Sequence, residues 1–205
     1  MKHSATARAL AAVMAACVVA LAGCSGEPAG NPAAATGGRF TASLPAGMQP
    51  AASVLDLMLD PIDTHADALW EAVATVSTYE GTRDEFPQTD EEWDALRRKA
   101  VVLMEASNLL VVEGRPVAHP GQKIEGPGES TDYTPEEAEA EIRKDPAAFA
   151  AFAAAMQGAS RQLVEAIDAR SVEQYLDAGS QLQEACEGCH RRFWYPNSPL
   201  PPGLE

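Results

Sequence analysis

Cysteine and histidine are scarce in this chain, with four of each in 205 residues. The cysteines do not fall into the two paired clusters usual in structural zinc sites. Cations are half as numerous as anions, 15 Lys and Arg against 30 Asp and Glu, which sets the chain against a phosphate backbone and makes nucleic acid an unexpected partner. Runs of alternating β-branched residues are missing, and everything periodic has the helical period. There is no Ser/His/Asp set, paired-carboxylate site or phosphate-binding glycine loop, so no enzyme is expected. The long apolar run, at residues 9–21, is too short and too rich in alanine to be a comfortable membrane span.

What is present is a group of five residues near the end: Cys186, Glu187, Gly188, Cys189 and His190. This is C-x-x-C-H, the attachment pattern of a c-type haem. Two thiols three residues apart lie on one face of a helix and can bond the two vinyl groups of one porphyrin, while the next imidazole reaches the iron. Two rival readings exist. A zinc site needs a fourth ligand, for which His65 and His119 are the other histidines left after processing. A redox-active C-x-x-C normally opens a helix in a βαβ unit.

The N-terminus reads as an export signal. Lys2 and Arg8 precede the apolar run, and Leu21-Ala22-Gly23-Cys24 looks like a bacterial lipoprotein box, with Cys24 acylated as the first mature residue. An ordinary cleaved signal with a stray cysteine is the alternative. Every cysteine then has a use: Cys17 leaves with the signal, Cys24 takes lipid, and Cys186 and Cys189 take haem. Losing Lys2 and Arg8 with residues 1–23 leaves 13 cations against 30 anions, a formal charge of −17. Such a field could steer a basic redox partner or simply keep the surface soluble.

Residues 24–50, rich in Ala, Gly and Pro, read as a flexible tether spanning about 25–30 Å. Residues 51–197 suit one domain, and 198–205 a proline-rich tail. Four long helices are expected. The first covers 54–79, with a kink or restart at Pro61 and Asp60 as a cap. The second covers 89–112, opened by the Thr89/Glu92 capping box. The third begins at Pro146 after Asp145. The fourth opens at Ser171/Gln174 and carries both motif cysteines on its apolar stripe. Residues 113–133 form a long crossover, either functional or merely tolerated, and a short acidic helix, 134–144, follows.

These predict an all-α, antiparallel up-down-up-down four-helix bundle, with haem near the C-terminal end of the last helix. In that topology the haem pocket draws on Met58 and Ile62, Leu109 and Leu110, and Phe149 and Phe152, with the crossover at its mouth. Trp70 and Trp93 fall too far from the ligating end to be more than core. Arg191 and Arg192 suit the helix C-terminus or a haem propionate, and Trp194 and Tyr195 cover the haem edge or close the bundle.

A C-x-x-C-H motif at the C-terminal end of such a bundle resembles the class II cytochromes c, the cytochrome c′ and c-556 family, over about residues 51–195. The resemblance implies one covalent haem c on Cys186 and Cys189, His190 as proximal iron ligand, and Phe193 as the aromatic that often follows the motif. It also implies Met58 as the distal ligand of a c-556-type electron carrier. An open, five-coordinate iron that binds or senses NO or CO is the alternative. Met48 and His119 are lesser candidates for the distal ligand, and His65 is expected at the surface or pocket edge. Family members often carry a basic residue where this chain has Trp194, and many pair into homodimers through their first two helices. The resulting expectation is an exported electron carrier, lipid-anchored on the periplasmic side of a bacterial membrane and serving a redox partner protein. Ser25 after Cys24, in place of the aspartate that often retains lipoproteins, points to the outer membrane. A haem-free helical lipoprotein is the remaining alternative.

Overall fold

The structure is a computed structural model, and it describes residues 43–124 and 132–198. The expected signal peptide, Cys24, most of the expected tether and residues 199–205 lie outside the described residues.

The first helical segment is continuous but not regular. It comprises α1 (Val54–Leu57), a π-helical turn (Met58–Ile62) and α2 (Asp63–Trp70). Pro61 has no N–H to donate and its ring clashes with the carbonyl four residues back. The chain absorbs this by widening one turn, so that the Asp63 N–H reaches Met58 O. The expected restart capped by Asp60 is therefore replaced by a bulge with no side-chain cap.

The helix also stops at Trp70, nine residues before the expected end. Residues 74–78 (β1) and 81–85 (β2) form an antiparallel hairpin in which Thr78 pairs with Gly81. Val73, Thr75, Val76 and Thr78 favour extended backbone, and Gly81 supplies a φ of +137° after the two-residue turn. Five residues carrying three β-branched side chains made a strand too short to stand out against the helical pattern.

The remaining helices are α3 (Asp90–Leu110), α4 (Pro135–Lys144), α5 (Pro146–Asp168) and α6 (Val172–Phe193). Their starts follow local chemistry. Thr89 and Thr134 accept from the N–H groups of Glu92 and Glu137, and those carboxylates bond back, making two capping boxes. Asp145 and Ser171 cap α5 and α6. The α5–α6 turn is a Schellman arrangement: Ser171 N–H bonds Ala166 O and Arg170 N–H bonds Ile167 O, each at 3.0 Å. Arg170 takes the left-handed position usually given to glycine, with φ +54°. Its guanidinium bonds Asp90 at 2.8 Å and lies over Trp93.

The molecule is thus mostly helical, with one small sheet. α3 packs on α5, α5 on α6, and α2 on α3. One core joins them, centred on Leu69, Leu103, Leu163, Ile167 and Leu182, all at or below 1% exposure. Each such side chain contributes roughly 1.5–3 kcal/mol of burial. Two hydrogen bonds tie the end of α2 to α6: Tyr175 Oη donates to Leu69 O at 2.6 Å, and Trp70 Nε1 donates to Gly179 O at 3.4 Å.

The crossover between α3 and α4 has a structural use. The first N–H groups of a helix lack partners within it, and here Val54 and Leu55 donate to Pro116 O and Val117 O, each at 2.9 Å. Gln122 closes the same corner by donating to Asp56 and accepting from the Ser53 hydroxyl and the His119 N–H.

Candidate haem-binding site

Cys186, Cys189 and His190 lie in the last turns of α6 and line one cavity of about 540 Å³. The volume is within the range of cofactor pockets, roughly 300–1,000 Å³. The first helical segment contributes Met58, Ile62, Asp63 and Trp70, and Leu110 comes from the end of α3. α5 contributes Phe149, Phe152 and Met156, and Phe193 closes the base of α6. Phe193 is set edge-on against Phe149 at 5.5 Å and against Phe152 at 6.2 Å.

Several placements differ from the sequence reading. Leu109 is 43% exposed and does not line the cavity, because the last turn of α3 presents Leu110 inward instead. Trp70 lines the cavity rather than lying beyond it, since the space extends along α6 as far as Gln183. Arg191 and Arg192 do not line it either. Arg191 pairs with Glu187 at 2.7 Å and Arg192 with Glu141 at 3.1 Å. Met48 is 63% exposed and remote from the site. His119 is held by Asp56 at 3.2 Å and by Ala51 O at 3.1 Å, not over the cavity. His65 lies outside the cavity, with its Nδ1 buried and without a hydrogen-bond partner.

The crossover, expected at the mouth, contributes Val117, Lys123 and Ile124. Ala138 and Ile142 of α4 also reach the cavity and were not anticipated. The i, i+4 spacing of Ala138 and Ile142 on an otherwise charged helix was the available signal.

The electrostatics of the motif do not favour thiol redox chemistry. Burial pushes the Cys186 thiol up to about 11, and burial together with Cys186 pushes Cys189 up to about 12. Redox-active thiols are depressed instead, at helix N-termini or beside cations, whereas these two sit near a helix C-terminus. Burial also lowers the proton affinity of His190, against the opposing pull of Glu187 and Asp63. The neutral imidazole is the metal-binding form. Among the described residues no cluster of three or more His, Cys, Asp and Glu is arranged around a common point, which gives the zinc reading no ligand set.

Whether the wall fits a haem can be tested on two features. Trp194 lines the cavity with its Nε1–H buried, a donor without an acceptor among the described residues. A porphyrin brings carboxylates. Gly188, between the cysteines, lies so close to α5 that a Cβ there would stand 2.9 Å from Phe152. Residues, volume and apolar character are consistent with the group.

Residues 122–194 match the family model described as Cytochrome C′. The match spans the end of the crossover, α4, α5 and α6 with the complete motif, and is consistent with a class II c-type cytochrome. It does not extend to the first helical segment, the hairpin or α3. Among curated proteins and among solved structures, nothing matches the chain.

Proposed function

We propose that the protein is an exported, lipid-anchored c-type cytochrome that carries single electrons for a redox partner. The observation that carries this reading is the placement of Cys186, Cys189 and His190 on one wall of an apolar cavity, inside a segment matched by a cytochrome family model. In this reading the helices form an antiparallel four-helix bundle around one haem c, held by Cys186 and Cys189. A haem bound there supplies a one-electron iron centre.

The chain's own residues set its surroundings. His190 offers a neutral imidazole from a buried position. Phe149, Phe152 and Phe193 exclude water from one side of the cavity, and burial of this kind governs potential. Met58, placed by the π-helical turn, offers a thioether to the iron; such a ligand raises the reduction potential. Trp194 offers its buried N–H to a haem carboxylate. Cys24 attaches the mature chain to the outer membrane, and residues 25–50 let the domain move about 25–30 Å from it. Among the described residues no helix is long and apolar enough to cross a membrane.

In the second reading, a five-coordinate NO or CO binder, Met58 lines the same cavity without binding the iron, which stays open to a gas. The absorption spectrum of the reduced protein separates the two. Sharp α and β bands that carbon monoxide leaves unaltered support the carrier; a high-spin spectrum that shifts with the gas supports the binder.

A further inference from the structure

We propose that the groove between α2 and α6 is the docking surface for a strongly basic protein. The inference rests on the carrier reading and names the kind of partner and where it sits. A second cavity, about 420 Å³, opens here between Leu69, Trp70, Tyr175, Leu176 and Gly179. Leu176 stands at its edge, 51% exposed, although the neighbouring Leu69 and Tyr175 are buried. An apolar floor with a polar rim is the general anatomy of a protein interface.

The charged residue among those lining the groove is Glu184, and the helices on either side add further acids. Between residues 43 and 82, and again between 171 and 190, the chain contains no lysine or arginine. The exposed residues of the two helices include Asp67 on α2 and Glu173, Asp177 and Glu184 on α6, with Glu71 just past α2. Other faces are mixed: α3 carries Arg97, Arg98 and Lys99, and α4 ends in Arg143 and Lys144. The acidic character of this groove is therefore local as well as global. A cationic partner is the complement, and such complementarity governs encounter rate and choice of partner.

The groove is preformed. The bonds of Tyr175 to Leu69 and of Trp70 to Gly179 fix both walls, so docking does not have to order them. Trp70 lines this groove and the larger cavity alike, which leaves one indole shared between a seated partner and the site of Cys186 and His190.

The test uses the holoprotein and, as probe, a basic class I cytochrome c in redox-inert zinc-substituted form, with binding measured by titration calorimetry. The pair Asp177→Lys and Glu184→Lys reverses the rim; Glu91→Lys and Glu165→Lys, on α3 and α5, make the same change in net charge elsewhere. Folding of both is checked by circular dichroism. The proposal expects the rim pair to weaken binding about tenfold or more, the control pair to change it less than twofold, and Leu176→Ser to weaken it without altering its salt dependence. Equal weakening by both pairs, or none by either, overturns it. Electron exchange with the iron form of the probe is scored separately: groove-specific binding without exchange sinks the carrier reading and leaves the docking surface standing.

Discussion

Gly188 and Phe152 meet so closely that a single added methyl forces a shift: a Cβ on Gly188 would lie 2.9 Å from Phe152 Cε1. This glycine, one of the two residues between the motif cysteines, thus sets how near α6 approaches α5. Gly188→Ala is expected to destabilise the fold by about 1–3 kcal/mol, as overpacking does, read as a lowered urea midpoint at unchanged slope. In a Phe152→Leu background the same substitution should cost less, because the obstructing ring atom is gone. An equal cost in both backgrounds would place the strain elsewhere.

Tyr175 joins α6 to the end of α2 through its bond to Leu69 O, and burial raises its proton affinity. Tyr175→Phe keeps the ring and its edge-on contact with Trp93 and removes only the donor. A loss of about 0.5–1.5 kcal/mol is expected in chemical denaturation. No loss would mean that water replaces the hydroxyl at that carbonyl.

Glu92 supplies the pH-dependent prediction. Its carboxylate accepts the N–H groups of Gln88 at 2.7 Å and Thr89 at 3.1 Å, and these bonds hold its carboxyl below the usual range. A depressed acid stabilises the fold fully above its unfolded pKa, near 4.5, and loses that contribution as pH falls through the folded value. The stability gap between the wild type and Glu92→Ala should therefore be largest at neutral pH and narrow below about 4.5. A gap that widens on acidification would contradict the assignment. Denaturant melts at a series of pH values provide the check.

Met58 distinguishes ligation from packing. If its sulfur binds iron, Met58→Leu should turn a carbon-monoxide-insensitive reduced spectrum into a sensitive one. If it only fills space, the spectrum stays as it was and the swap costs less than about 1.5 kcal/mol.

The parts of this structure that were legible in the sequence are those written in local chemistry. Thr89 with Glu92, Thr134 with Pro135, Asp145 with Pro146, and Ser171 each begin a helix within a residue of the expected place, because a cap is a contact between near neighbours. The motif on α6 could be read for the same reason. The hairpin could not, since β1 continues the apolar spacing of the helix before it and β2 has no apolar residue to mark it. Pro61 announced a disturbance, but whether a helix restarts or bulges depends on what packs around it. That Leu110 faces the cavity and Leu109 does not is a matter of about 100° of helix rotation, finer than a level along a bundle axis can resolve. Trp70 was missed because the cavity's reach along α6 depends on side-chain volumes from four other elements.

The most direct test of the central claim is a haem-stained denaturing gel of the protein expressed in a host equipped for cytochrome maturation. The account predicts a stained band at the mass of the chain, lost when Cys186 and Cys189 are both replaced by alanine. An unstained band from the wild-type chain, with both thiols open to alkylation, would contradict it.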